Sequence, residues 1–129
     1  MPFTIVREKT ADFTRYAVSG PPSVKNYFDL IEDAARQTAA GHDKLVLVDL
    51  REVGGRLTFT DQFFIGDLMG DKLPHIQKLA LLVADDPDTY NSPKVAQRKG
   101  VNVQAFSSEE EAVEWLTEEK RAKDSPPPA

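Results

Sequence analysis

Three carboxylates stand where an α/β protein could hold a cation. Asp49 lies near the end of the apolar run 44–50, and Asp85 and Asp86 follow a second apolar run, 79–84. Ligands of open α/β sheets gather at the carboxyl ends of strands, so these three residues are candidates for a Mg²⁺ or phosphoryl site. An aspartyl-phosphate enzyme would need a further acid or a partnering lysine, whereas leucine and arginine follow Asp49. We therefore expect Asp49 to bond loop amides and the other two acids to shape a turn.

A tyrosine and a lysine have a spacing that is typical of a second kind of active site. Tyr90 and Lys94 match the Tyr-x-x-x-Lys pattern of short-chain dehydrogenases, which works because one helix turn brings the lysine beside the phenol. Pro93 is suited to the first turn of a helix, so a helix that begins there leaves Tyr90 outside it. The glycine pair at 54–55 also lacks the third glycine and the strand-to-helix spacing of a dinucleotide loop. We expect neither dehydrogenase activity nor a cofactor.

The two histidines offer no catalytic or metal-binding arrangement. His42 follows the end of a predicted helix, and His75 follows Pro74 before a predicted strand. Neither has a serine, an aspartate or a second ligand at a recognisable spacing. We expect both in surface loops, and we expect a protein that is not an enzyme.

The segment 59–73 has more apolar surface than a surface helix requires. Its apolar side chains spread over more than half of the circumference, where a stripe about 100° wide is the norm. Gly66 and Gly70 lie on another line, and each lowers helix propensity by roughly 1 kcal/mol relative to alanine. The loop 51–57 covers the extra surface, or the surface is tolerated in water, or the helix contacts a protein partner, a second copy of the chain, or an acyl chain between helix and sheet. The candidate contact residues are Phe63, Phe64, Leu68 and Met69.

Composition and charge bound the class of protein. The 129 residues suit one domain, predicted over 1–123, with a disordered tail at 124–129. The absence of cysteine excludes disulfides and thiol chemistry. A formal charge of −5 without a basic stripe argues against nucleic-acid binding, since phosphate neutralisation supplies most non-specific affinity. With no signal-like N-terminus and no apolar run long enough for a bilayer, we expect a cytoplasmic protein without a transmembrane segment.

The order of the elements predicts an α/β sheet. The run 44–50 is apolar almost without a break, which indicates a central strand buried on both faces by parallel neighbours and helices. Further strands are predicted over 3–9 and 13–19 as an outer hairpin, over 79–84, and over 101–106 at an edge. Helices are predicted from the cap Ser23 to about Ala40 with Gly41 closing it, after Thr58 with Asp61 at capping-box spacing, from Ser92 and Pro93 to Gly100, and after a cap at Ser107 or Ser108.

Several of these segments belong to one larger pattern. They are the strand ending Val48-Asp49-Leu50, the Gly-Arg-Leu-Thr stretch from Gly55 to Thr58, the strand 78–83, and the blocks 98–106 and 110–116. The pattern resembles the SpoIIAA-like, or STAS-like, family of small α/β proteins. The resemblance implies a short β-α superhelix, with a mixed sheet of about five strands and about four helices. It also implies a protein without enzymatic activity, because most members of the wider group have none.

The resemblance carries one expectation about regulation. The best-known members are anti-sigma-factor antagonists, which are switched by phosphorylation of a serine at the start of the helix after the central strand. Their motif there resembles Asp-Ser-Ser-Gly, whereas this chain has Leu57-Thr58-Phe59-Thr60-Asp61, so Thr58 and Thr60 are the candidate phosphorylation sites. A closer subfamily is largely of unknown function and has been related to lipid-binding Sec14-type domains.

Three functional hypotheses fit these observations. The first is a non-catalytic binding or regulatory module that contacts a protein partner, or a second copy as a homodimer, through the helix after the central strand. The second is a small protein that binds an apolar, lipid-like ligand with the same helix as a lid. The third is a carboxylate–metal (Mg²⁺) enzyme at Asp49, Asp85 and Asp86.

Overall fold

The computed structural model describes residues 1–55 and 57–124, with residues 119–124 given as helix backbone only. The strands are β1 (Thr4–Lys9), β2 (Thr14–Gly20), β3 (Leu45–Val53), β4 (Lys78–Leu82) and β5 (Val103–Phe106). The helices are α1 (Val24–Gly41), α2 (Phe59–Lys72), α3 (Ser92–Arg98) and α4 (Glu109–Asp124), with a short 3₁₀ turn at Pro87–Thr89. Strand and helix alternate after the first hairpin, as the sequence pattern predicts.

The five strands form one mixed sheet in the order β1-β2-β3-β4-β5. β1 pairs antiparallel with β2, and every later pair is parallel. The prediction of a central strand at 44–50 is confirmed, since β3 has two strands on either side of it. The expectation of an outer hairpin holds for its edge strand β1, and β5 is the opposite edge. The sheet therefore places the carboxyl ends of β2, β3, β4 and β5 along one side.

Helices cover the two faces of the sheet unequally. α1, α2 and α3 lie on one face, where their apolar side chains pack against Tyr16, Val46, Val48 and Leu79. α4 lies on the other face, where Ala112 and Leu116 pack against Leu47, Ala80 and Leu82. Both faces of β3 are therefore buried, which is the physical reason for its unbroken apolar run.

The ends of α1 differ in how well the sequence predicts them. Ser23 caps its start as expected, because its Oγ accepts from the Asn26 backbone N–H at 3.0 Å. Gly41, predicted to close the helix, is instead its last helical residue, and the left-handed position is His42, with φ of 55°. The turn is completed by the Asp43 N–H, which donates to the Thr38 carbonyl at 2.9 Å. This geometry sets the Asp43 carboxylate against Arg7 and Lys9 of β1.

Other boundaries shift by a few residues. β3 continues past the predicted end at 50 because β2 pairs with it as far as Gly20 and Val53. β4 ends at Leu82, although the Val83 N–H still donates to the Phe106 carbonyl. The cap of α4 is Ser108, whose Oγ accepts from the Glu111 N–H at 3.3 Å. Of the predicted tail 124–129, Asp124 ends α4 and the remainder lies outside the described residues, as does Arg56. Within the described chain, the helices are too short or too polar to cross a membrane.

Candidate functional site

The helix α2 begins where the sequence predicts. The Thr58 hydroxyl oxygen accepts from the Asp61 backbone N–H at 3.2 Å, which satisfies one of the open donors of the first turn. Asp61 also favours this end of the helix, because its negative charge faces the positive end of the helix dipole. Thr58 and Thr60, the candidate phosphorylation sites, are both exposed. Both threonine hydroxyl groups are therefore accessible, and that of Thr58 already serves as the helix cap.

Three phenylalanines of α2 point away from the sheet. Phe59 is 65% exposed, Phe63 44% and Phe64 52%. Among the described residues, the other large apolar side chains that are exposed are Met1 and Val6. The rings of Phe63 and Phe64 meet edge to face, with centroids 5.9 Å apart. We call Phe59, Phe63 and Phe64 the aromatic face.

The aromatic face shares two residues with the predicted contact set, lacks the other two, and adds Phe59. Phe63 and Phe64 are exposed and so remain candidates for a contact surface, and Leu68 is half-buried against the core. Met69 is only 4% exposed, so its assignment to a contact surface is wrong: its side chain belongs to the core between α2 and the sheet. Phe59 takes its place. Apolarity alone does not separate these residues, because which arc of a helix is covered depends on where its neighbours pack.

The glycines of α2 explain that packing. A Cβ on Gly66 would stand 2.7 Å from the Val95 Cβ and would also collide with the Ser92 backbone carbonyl. A Cβ on Gly70 would stand 2.5 Å from the Lys99 Cβ. Both glycines therefore allow α3 to approach the α2 backbone closely. The Lys99 ammonium then binds Asp67 of α2 at 2.9 Å and also Asp71.

A buried glutamine joins the two segments that flank this contact. The Gln62 side chain donates to the Leu57 carbonyl at 2.8 Å and accepts from the Asn91 backbone N–H at 2.8 Å. The chain before α2 and the chain before α3 are thereby held together at the carboxyl ends of β3 and β4. Gln62 is 7% exposed, and nothing in the sequence pattern marks it as special.

Two cavities lie on the inner side of α2. The outer one has a volume of about 50 Å³ and is lined by residues from the loop before α2, from β4 and from the start of α3, among them Gly55, Leu57, Val83 and Tyr90. The inner one has a volume of about 60 Å³ and lies among apolar side chains of α1, α2, β3 and β4. Tyr27, Leu50, Ile65, Leu81 and Ser92 line both cavities.

Among the described residues that line the cavities, Tyr27 has a shifted pKa. Burial raises the pKa of its hydroxyl to about 12, and the neighbouring Tyr90 adds to the increase. The phenol therefore keeps its proton at any physiological pH and can donate a hydrogen bond. Its ring meets Phe3 edge to face, with centroids 5.1 Å apart.

Asp49 is bound by arginines rather than open to a cation. One oxygen accepts from Arg15 at 2.7 Å and from Arg51 at 2.9 Å, and the other accepts from the Arg51 Nε and backbone N–H. Glu109 at the start of α4 bridges the same two arginines. Burial alone would raise the pKa of Asp49, but the bonds and charge of Arg51 and Arg15 outweigh it and lower that pKa below its ordinary value. Asp49 was expected to bond loop amides, but the amide that it bonds belongs to Arg51, which lies within β3 because that strand is longer than predicted. Through the two arginines and Glu109, Asp49 also helps to link β2, β3 and α4.

The remaining candidates are not brought together. Asp85 and Asp86 are exposed in the turn after β4, where the Asp86 side chain accepts from the Asp88 N–H at 3.0 Å. Within residues 1–55 and 57–118, no three acidic or histidine side chains are grouped as a metal site requires. The prediction that these acids shape a turn is confirmed for Asp86.

The other patterns considered also have structural roles. Tyr90 follows the 3₁₀ turn and precedes α3, so it lies outside the helix that contains Lys94, as predicted. The Lys94 ammonium donates to the Asp88 carbonyl at 2.8 Å. His42 supplies the left-handed residue after α1, and the exposed His75 lies 2.7 Å from the Thr38 hydroxyl. None of these contacts forms a catalytic arrangement.

The fold has a counterpart among solved structures. The chain is similar to an uncharacterized protein of the DUF3478 family from Shewanella loihica, which has a SpoIIAA-like fold. The TM-score is 0.55 at 18% sequence identity, and the match covers 89% of this chain and 94% of the other. No family model and no curated protein matches the sequence. A likeness at this identity establishes the fold, and the prediction of a SpoIIAA-like α/β fold is confirmed.

Proposed function

We propose that this protein is a non-catalytic binding module that docks a protein partner through the aromatic face of α2. The carrying observation is that Phe59, Phe63 and Phe64 are about half exposed, while Ile65 and Met69 of the same helix are buried in the core. Aromatic side chains contribute most to protein interfaces when a partner removes them from water. Asp49 lies in the central strand, where a catalytic carboxylate was considered. It is bound to two arginines, which supports a role without catalysis.

The size of the aromatic face indicates the kind of partner. Three phenylalanines exposed by about half present on the order of 300 Å² of apolar surface. A stable interface buries about 800 Å² on each partner. Flat pairing of two copies through these rings alone would fall well below that area. A partner with an apolar pocket that takes up Phe63 and Phe64 would bury each ring more completely, so we commit to such a protein rather than to a homodimer.

Phosphorylation is a suitable means of control for this surface. Thr60 lies three residues before Phe63 and four before Phe64, so all three share one side of the helix. A phosphate on Thr60 would place close to two negative charges within the aromatic face and oppose its burial. A phosphate on Thr58 would meet the positive end of the helix dipole, but it would displace a working cap.

Site-specific cross-linking tests the docking proposal. A photoreactive phenylalanine analogue placed at Phe64 should cross-link one partner in producing cells, whereas the same analogue at Val6 should not. Val6 is the matched control because it is 60% exposed and lies on β1. The partner is then purified, and Phe63→Ser should weaken its binding by about 30-fold, as for loss of an interface anchor of about 2 kcal/mol. Equal cross-linking from both positions, or unchanged affinity of Phe63→Ser, would overturn the proposal.

Sedimentation of the purified protein tests the homodimer alternative. The docking proposal expects a monomer at micromolar concentration. A dimer that Phe64→Ser dissociates and Val6→Ser does not would assign the aromatic face to self-association instead.

A second candidate function is the binding of a small apolar ligand beneath α2. The observation that favours it is the pair of cavities between α2 and the sheet, whose inner part is lined by apolar side chains. A lipid-like chain would extend that space toward the core by moving α2. Native mass spectrometry of protein purified from cells tests this candidate, since a bound ligand would add its mass to that of the chain. A spectrum of the bare chain alone would count against a tightly held lipid.

A further inference from the structure

The aromatic face is too small to be a whole interface. Its three rings present on the order of 300 Å² of apolar surface, whereas a stable interface buries about 800 Å² on each partner. The remaining contact must come from residues that border the rings, and the exposed side of α2 continues from the rings toward the end of the helix. The side chains along that side therefore restrict which partner fits.

Two aspartates continue the line of the rings. Asp67 follows Phe63 by four residues and Phe64 by three, and Asp71 follows Asp67 by four, so these side chains share one side of the helix. The side chains of both aspartates are about half exposed. At a rise of about 1.5 Å per residue, they lie about 6 and about 12 Å beyond Phe63 along the helix axis. We call Asp67 and Asp71 the acidic strip.

One lysine partly neutralises the acidic strip. The Lys99 ammonium donates to both aspartates, and these hydrogen bonds, that to Asp71 first and that to Asp67 second, raise the pKa of Lys99 above its ordinary value. Lys99 is therefore charged at any physiological pH. Of the basic side chains that the structure describes, Lys99 alone is ion-paired with these two carboxylates, so the three groups together keep a net charge of −1.

The rest of α2 does not reverse this charge. The helix contains three aspartates and one lysine, and that lysine, Lys72, lies 3.6 Å from Glu32 of α1. The exposed side of α2 beyond the rings is therefore negative. Like charges that face each other across an interface are unfavourable, whereas opposite charges speed association and select the partner.

We infer that the protein partner carries arginine or lysine side chains beside its apolar pocket, placed to meet the acidic strip. The pocket takes up Phe63 and Phe64, and the basic patch lies about 6–12 Å further along α2. Thr60 precedes the rings, so it lies on the other side of the pocket from this patch. The inference rests on docking at the aromatic face and adds the charge of the partner to it.

The two parts of the surface should act on different rates. Exposed charges at the rim of an interface mainly change the association rate and its salt dependence, whereas a buried anchor mainly changes the dissociation rate. Kinetics are measured with the partner purified by cross-linking at Phe64, at about 0.1 M and about 1 M salt, where screening lengths are about 10 and about 3 Å.

The double variant Asp67→Asn, Asp71→Asn tests the acidic strip directly. It should associate about tenfold more slowly than the unaltered protein at the lower salt, because the attraction to the basic patch is lost. At the higher salt the two should associate at nearly the same rate, since screening removes that attraction. Phe63→Ser should instead dissociate faster at both salt concentrations.

Lys99→Gln separates charge from packing. It breaks the same ion pairs between α2 and the end of α3 as the double variant, but it makes the acidic strip more negative. It should therefore raise the association rate about threefold at the lower salt. Glu110→Gln is the control for net charge, because Glu110 is exposed on α4, which lies on the opposite face of the sheet. This control should leave the association rate nearly unchanged.

The outcomes distinguish this inference from the function on which it rests. Opposite effects of the double variant and Lys99→Gln at the lower salt, absent at the higher salt, support it. Slower association of both would show that the acidic strip acts through the packing of α3 and would overturn it. An unchanged or faster double variant, or an equal effect of Glu110→Gln, would also overturn it, whereas weaker binding of Phe63→Ser would leave docking at the aromatic face standing. If the analogue at Phe64 cross-links no protein, the proposed function and this inference fail together.

Discussion

At the scale of the residue, Phe64 and Met69 have opposite positions on one helix. Phe64 is 52% exposed and Met69 is 4% exposed, five residues apart on α2. Because half of the Phe64 ring is already in water, Phe64→Ser should change the free energy of unfolding by less than about 1 kcal/mol. Met69→Ala leaves a cavity in the core and should cost about 2–5 kcal/mol. Urea denaturation of the two variants measures both values, and equal losses would place Phe64 in the core.

Thr60 gives a second test at the same scale. Thr60→Glu adds a negative charge beside Phe63 and Phe64 and should weaken binding of the cross-linked partner at least tenfold, because the charge must lose water when the aromatic face is covered. Thermal unfolding should be nearly unchanged, since Thr60 is exposed. Thr60→Gln is the control for side-chain size. Equal loss of binding in both variants would show that shape, rather than charge, is responsible.

At the scale of the element, Gly66 is the residue on which the packing of α2 against α3 depends. Alanine at this position would improve helix propensity by roughly 1 kcal/mol. Its Cβ would nevertheless meet the Ser92 carbonyl and the Val95 Cβ, so the two helices would have to separate. We expect Gly66→Ala to lower the melting temperature. Gly54→Ala is the control, because no atom lies within 4 Å of the added Cβ, and it should leave the melting temperature nearly unchanged. A more stable Gly66→Ala would show that α3 yields easily.

The elements themselves were predictable from the sequence to different degrees. The caps Ser23 and Thr58 and the start of α3 at Ser92 and Pro93 depend on local chemistry, and each was predicted correctly. The lower helix propensity of Gly66 and Gly70 could also be predicted from the sequence, but the close approach of α3 that these glycines allow could not. Predicting that approach requires knowing that α3 packs against α2, which no local sequence pattern specifies. The same missing neighbour accounts for the error at Met69.

At the scale of the whole molecule, the sheet was the most predictable feature and the cavities the least. The apolar runs that became β3 and β4 are buried on both faces, and such runs specify a central pair of strands without knowledge of their partners. The cavities arise where residues from α1, α2, β3, β4 and the start of α3 fail to fill the space between them. A void is a property of all its walls, so no stretch of sequence contains it.

Two carboxylates join the β1–β2 hairpin to the rest of the molecule. Asp43, before β3, accepts from Arg7 at 3.0 Å and lies 3.1 Å from Lys9, and Asp49 within β3 accepts from Arg15 of β2. Burial alone would raise both pKa values, but Lys9 and Arg7 outweigh it at Asp43, and Arg51 and Arg15 outweigh it at Asp49, so both pKa values are lower in the folded protein. The stability that they contribute is therefore present above the unfolded pKa of about 3.9 and is lost as the pH falls through the folded values.

Asp49→Asn should expose this dependence. At pH 7 the variant loses charge-assisted hydrogen bonds to Arg15 and Arg51, and its free energy of unfolding should fall by about 1.5–3 kcal/mol. Below about pH 4 the difference from the unaltered protein should shrink, because the unfolded chain takes up a proton at Asp49 first and the folded protein follows as the pH falls through its lowered pKa. Urea denaturation across this pH range measures the convergence. Asp29→Asn breaks only an exposed pair with Lys25 and should change little at either pH. A gap between Asp49→Asn and the unaltered protein that stays constant to pH 2 would show that the carboxylate acts through packing rather than charge.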